Sequence, residues 1–139
     1  MRLAYLFLAN YADIAIDGRV NLLGADFDTF HLPVLPMIVP FFYVVGRVYF
    51  DPEEIQQDAP FHLHIIDPEG NLLAQPEITG TITPPVPSDP TMPSSSGLMF
   101  LILNCEFRRY GQYRIIFRLR GIPEVERLFR VQSHPPQRP

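Results

Sequence analysis

The chain reads as all-β: a two-sheet antiparallel β-sandwich of immunoglobulin-like or related topology, with a β-barrel as the alternative. Three observations predict it. Near the C-terminus Tyr113, Ile115, Phe117 and Leu119 fall on one face and Arg114, Ile116, Arg118 and Arg120 on the other, the period of two that marks a half-buried strand. Gly121-Ile122-Pro123 breaks this run, and Val125, Arg127, Phe129 and Val131 then alternate again, so two antiparallel strands joined by a short loop are expected. Sixteen prolines in 139 residues, about twice the usual share, oppose long helices and favour strand ends and loops.

A chain of this length suits one domain, here residues 1–132, able to remove roughly 68% of its unfolded surface from water without a disulfide or metal. Hydrophobic residues at 47% and aromatics at 12% exclude a disordered chain. The formal charge of -4 argues against a general nucleic-acid binder. It is unevenly spread: residues 104–139 hold eight arginines against three glutamates, a local +5, which leaves -9 on the first 103 residues. All eleven basic residues are Arg, which GC-rich coding explains better than a need for bidentate recognition. A single cysteine, Cys105, rules out an internal disulfide and fits a reducing, cytoplasmic setting. After Met1-Arg2 the apolar run is only seven residues and lacks a small-x-small cleavage site, so it is expected to be a first strand and not a signal peptide. No run approaches the roughly 20 apolar residues of a membrane span.

Taken in order, residues 3–9 are apolar on both faces, as in a central strand covered on each side. Asp17-Gly18 between two alternating runs predicts a hairpin with a type I′ turn. Residues 26–30 either extend it or form a further short strand after a glycine-marked bulge. His31-Leu32-Pro33-Val34-Leu35-Pro36 is a proline-punctuated crossover, and residues 38–50 a long apolar strand, interrupted or bent near Pro40 and Gly46. Asp51-Pro52-Glu53-Glu54 spells one short helical turn: a cap, a proline at the first helical position and acidic residues behind it. Residues 61–66 alternate, Asp67-Pro68-Glu69-Gly70-Asn71 is a turn, and residues 72–83 form a strand weakened by Pro76 and Gly80. Residues 84–97, with five prolines and four serines, form a low-complexity surface loop or interaction segment. Residues 98–107 are the next strand, and the Pro-rich tail 133–139 cannot continue a ladder. About eight or nine strands result, with no amphipathic helix and no repeat.

The segments 9–24 (ANYADIAIDGRVNLLG), 67–70 (DPEG) and 111–121 (GQYRIIFRLRG) resemble a family of small bacterial single-domain proteins of unknown function. Its members open with an Ala-Asp-Tyr-Ala-like strand and hairpin and close with a Gly-x-Tyr strand. Asn10 stands where that pattern has Asp, and Ala25-Asp26-Phe27 where it has Gly and an aromatic. The resemblance implies a β-sandwich and supplies no catalytic residue.

Each candidate site has a plainer explanation beside it. His62 and His64 share a strand face about 7 Å apart and would share a metal if His31 or an aspartate converged on them; a solvated face accounts for them as well. The loop carboxylates Asp26, Asp28, Asp51, Glu53, Asp67 and Glu69 are oxygen ligands of the kind calcium takes, but turns and caps favour Asp for their own reasons. Cys105 has no base at hand in sequence and reads as a small core residue. Arg114, Arg118 and Arg120, with Arg127 or Arg130, form a basic stripe that Glu106 and Glu126 are placed to neutralise; a nucleic-acid surface would interleave aromatics, and only Tyr110 offers itself. With no nucleophile elbow, P-loop, dinucleotide fingerprint or Cys-x-x-Cys, neither an enzyme nor a cofactor is expected.

Excess apolarity is the strongest functional feature. The first strand, residues 41–45 and residues 98–103 offer apolar side chains to both faces, and a two-layer sandwich buries only one. Loops, or another subunit, must cover the rest. The expected function is therefore protein association, as a homo-oligomer or a subunit of a larger assembly, with neither nucleic acid nor membrane as partner. Pro85, Val86, Pro87, Met92 and Pro93 of the loop, together with Arg114, Arg118 and Arg120, are the expected contact residues. A small-ligand or ion-binding module using the Asp-rich loops or the His62/His64 pair is the alternative.

Overall fold

The structure, a computed structural model, describes residues 1–133, and residues 74–76 by backbone alone. Among them are nine strands, β1 (Arg2–Ile14), β2 (Val20–Phe27), β3 (Thr29–His31), β4 (Met37–Phe50), β5 (Ala59–Ile66), β6 (Leu72–Ile82), β7 (Ser94–Phe107), β8 (Gly111–Leu119) and β9 (Val125–Gln132), and one 3-10 turn, Pro52–Glu54. They form a four-stranded sheet in the order β2-β1-β4-β7 and a five-stranded sheet in the order β3-β9-β8-β5-β6. Neither sheet closes into a barrel, so the sandwich reading holds. All pairs are antiparallel except β3 with β9, which run parallel: the chain crosses between sheets at Asp28, and its next three residues line the far edge beside the last strand.

The connectivity is immunoglobulin-like. Strands β9, β8 and β5 stand as G, F and C do in that fold, while β1, β4 and β7 take the places of A, B and E. The fold's tyrosine corner is present as well. Tyr113, at the start of β8, is buried and its hydroxyl donates to the Arg109 carbonyl at 2.8 Å. The core lies between the sheets, with Leu6, Phe42, Val44 and Phe50 from one meeting Leu63, Ile65, Ile115, Phe117 and Phe129 from the other.

Several local readings need correction. The hairpin between β1 and β2 forms, but only Gly18 of its turn is left-handed (φ 84°), so the connection is the three-residue loop Ile16-Asp17-Gly18 and not a type I′ turn. Ala15 and Arg19 close it, the Ala15 N–H donating to the Arg19 carbonyl at 2.8 Å. Strand β4 runs unbroken through Pro40 because its pairing with β1 reaches only Tyr43, so Pro40 lies where no neighbour on that side needs its N–H. Residues 94–97 belong to β7 and not to the loop, since Ser94, Ser95, Ser96 and Gly97 pair with Phe50, Tyr49, Val48 and Arg47; the ladder to β4 outweighs their weak strand preference. Strand β6 also survives its glycine: a Cβ at Gly80 would meet the Phe61 ring at 2.8 Å, so the missing side chain gives that ring its seat.

The β1–β2 hairpin does more than extend a sheet. β1 pairs with β4 only as far as Ala9, and beyond it the hairpin turns across the outer face of its own sheet. Arg47 on β4 donates to the Gly18 carbonyl at 3.0 Å, and the Ile14 side chain lies 3.3 Å from where a Cβ on Gly97 would be. Beneath the hairpin a second apolar cluster forms: Ala9, Ala12 and Val45 are buried, with Tyr5, Phe7, Val20, Leu22 and Tyr43 packed around them. A bulge prepares the bend. Leu8 pairs with Phe27 but Ala9 with Ala25, leaving Asp26 extra at φ 60°. Gly24, at φ 56°, has no room for a Cβ against the Asn10 side chain.

Candidate interaction surface

The hairpin covers only part of that outer face. The remainder is set by alternation along β4 and β7: Leu98, Phe100 and Ile102 point into the core, so Met99, Leu101 and Leu103 point out. Their partners on β4 are Val45, Tyr43 and Phe41. Phe41 is 51% exposed, Leu103 53%, Leu101 44% and Met99 39%. Tyr11 and Phe41 both set their rings edge-on to Tyr43, at 5.7 and 6.4 Å, so the patch continues up to the hairpin. Ile38, opposite Glu106, extends it at the other end.

Pro40 and Asn104 keep these residues outside. They stand opposite each other between the pairs Val39–Cys105 and Phe41–Leu103, and Asn104 is left-handed at φ 52°, a conformation Asn tolerates better than most residues. Both strands turn over at this point, so Val39 and Cys105 pack inward while Phe41 and Leu103 face water. Cys105 is fully buried, and burial pushes its thiol up to about 12, in keeping with a small core residue.

The outer face of the five-stranded sheet is charged instead. Arg114 pairs with Glu126 at 3.6 Å and Arg118 with Glu124 at 2.6 Å, so the arginine stripe carries its own counter-charges. Glu106 serves Arg108 and not the stripe. Arg120 lies in the turn beyond β8, exposed. His62 meets Glu77 at 2.9 Å. His64 lies beside His62 with ring centres 4.8 Å apart, yet is only 6% exposed, and burial, then the charges of His62 and Arg118, hold it below the ordinary histidine range.

The other candidate ligands do not converge. His31 is at the end of β3, near the Ser133 carbonyl. Asp26 and Asp28 line a cleft of about 430 Å³ with Glu126 and Arg127, where Arg127 donates to the Leu6 carbonyl at 2.8 Å. Asp67 accepts from the N–H groups of Glu69 and Asn71, both at 2.9 Å, and so closes its own turn. Asp51 caps the 3-10 turn and Glu53 lies within it. Among the described residues no three His, Cys, Asp or Glu side chains are grouped to hold a metal ion, and no helix is long and apolar enough to cross a membrane.

Of the expected contact residues, Pro85, Val86, Met92 and Pro93 are exposed and Pro87 half-buried. Val86 and Pro87 line a shallow groove of about 560 Å³ with Pro90, Glu53, Ile55 and Gln57. Beyond Ser133 the Pro-rich tail lies outside the described residues. Reading by sequence identified β4 and β7 as apolar on both faces but did not name Phe41, Met99, Leu101 and Leu103. The signal was available in the simple alternation from Leu98 to Leu103.

No curated protein and no solved structure matches this chain. A family does match, over nearly all the described residues, in agreement with the resemblance carried by segments 9–24, 67–70 and 111–121. With its model aligned to residues 4–132, the chain belongs to the Family of unknown function (DUF6941).

Proposed function

We propose that this protein is a non-catalytic β-sandwich that works by protein association, as a homo-oligomer or a subunit of a larger assembly, through the outer face of β4 and β7. The observation that carries this reading is the contiguous exposed row of Phe41, Leu103, Leu101 and Met99, continued by Ile38 and Tyr11. Scattered apolar residues are normal on a surface, whereas a contiguous patch of large ones marks a contact site. The Pro-rich loop with Val86 and Met92 is a secondary contact element. Charge supports a protein partner over nucleic acid, because Arg114 and Arg118 of the other face are already paired with glutamates. The single cysteine is consistent with residence in the cytoplasm.

Light scattering across a concentration series tests this, with and without chelator. The wild-type chain should form a discrete oligomer indifferent to chelator, and Phe41→Asp should return it toward the 16.0 kDa monomer. A wild-type monomer at every concentration would remove self-association from this reading.

A further inference from the structure

We propose that β7 is a pairing edge, and that the strand it takes is β7 of a second copy of this chain, running antiparallel about a two-fold axis at Leu101. This deepens the association reading and rests on it: the same face is used, with the partner and the geometry now specified.

The four sheet edges differ in one respect. β2 ends in a bulge with Asp26 left-handed. β3 is three residues long. β6 contains Pro76 and Glu77 in its sequence and slips register against β5 between His64 and Ile66. Each of these is a device that discourages a further strand from adding. By contrast, β7 is fourteen residues long, bonds to β4 alone, and from Ser94 to Leu103, before its left-handed Asn104, holds neither a charge nor a proline. In the immunoglobulin arrangement strand D lies beyond E in this sheet. Among the described residues no strand bonds to β7 on that side, and part of the chain between β6 and β7 lies beside the 3-10 turn.

An unblunted edge accepts an extended strand through its backbone groups, and side-chain complementarity chooses which. A two-fold axis at Leu101 sets Leu101 against its own copy and Met99 against Leu103. Apolar residues then meet apolar residues along the whole outer row, and no like charges oppose one another. An isologous contact of this kind requires no separately matched partner sequence. It closes about 17 Å of regular seam, from Met99 to Leu103, and joins the two apolar faces into one eight-stranded surface.

Variants with one added cysteine under mild oxidation read the register on a non-reducing gel, and the buried Cys105 leaves the wild-type chain as the unlinked control. Leu101→Cys should link to itself. Met99→Cys and Leu103→Cys should link only when mixed, and Thr79→Cys, on the outer face of the other sheet, should not link. Leu101→Lys, which sets two ammonium groups across the axis and removes two buried leucines, should weaken the dimer about 100-fold. An oligomer in light scattering whose Leu101→Cys variant fails to link, or in which Met99→Cys or Phe41→Cys links to itself, overturns edge pairing about Leu101 and leaves association through the face intact. A monomer at all concentrations overturns both.

Discussion

The two outer faces of this sandwich are built by the same alternation and spent differently. On the five-stranded sheet the outward positions of β8 and β9 carry Arg114, Arg118, Glu124-linked and Glu126-linked ion pairs, a surface made for water. On the four-stranded sheet the outward positions are mostly apolar along β1, β4 and β7, with Arg47 a charged exception. Half of them are buried by the β1–β2 hairpin, and half, from Phe41 to Met99, are left open. A two-layer sandwich needs one apolar face per sheet. The hairpin therefore acts as a partial third layer, and the uncovered remainder marks where a further layer would fit.

The contrast breaks most completely at Ala12. This residue is 2% exposed in a cluster of Ala9 and Val45 ringed by Tyr5, Phe7, Val20, Leu22 and Tyr43, where a carboxylate would be buried among apolar and aromatic side chains. Ala12→Asp should cost about 3 kcal/mol in urea unfolding and expose the hairpin tip to proteolysis. If the loss were below about 1 kcal/mol, the hairpin would be resting on the sheet and not forming a layer of it.

The layer was only half legible in the sequence. Strand positions, the Asp17-Gly18 hairpin and the Asp67 turn follow from local chemistry: a glycine at positive φ, an Asx turn, a period of two. Double-sided apolarity along the first strand was equally plain, and it required a cover. What alternation does not encode is where a strand bends. The fold-back of the hairpin depends on a bulge at Asp26 and on Gly24 yielding to Asn10, long-range contacts that a single strand does not reveal. The turning over of β4 and β7 likewise needs Pro40 and Asn104 to stand opposite each other, a pairing visible only once the register is known. Tyr113 shows the same limit: Gly-x-Tyr is readable, but its hydroxyl's partner at Arg109 is not.

A smaller effect sharpens the comparison from the charged side, where His64 is the exception. It is buried among charged neighbours, its Nδ1 without a hydrogen-bond partner among the described residues. Burial, with His62 and Arg118, lowers its affinity for a proton, against the weaker pull of Glu124 and Glu77. The unfolded chain therefore takes up a proton first as pH falls through about 6.5, and stability declines from there until the folded state is protonated too. Urea midpoints measured between pH 7.5 and 5 should fall for the wild-type chain, and His64→Leu should flatten that slope. Identical slopes in the two proteins would assign the pH dependence elsewhere.

The smallest effect belongs to the ion pairs themselves, and the comparison needs it to be small. Arg118 and Glu124 approach to 2.6 Å, but their side chains are 59% and 49% exposed. Water screens such a pair, and ordering two long side chains offsets much of the attraction. A double-mutant cycle with Arg118→Gln and Glu124→Gln should give a coupling of about 0.5 kcal/mol, falling further as salt is raised. That value makes the charged face a solvated surface whose role is to stay unpartnered. A coupling above about 1.5 kcal/mol, insensitive to salt, would mean that the charges hold β8 to β9 as the apolar residues hold the hairpin to its sheet. The difference between the two faces would then lie in chemistry alone and not in purpose.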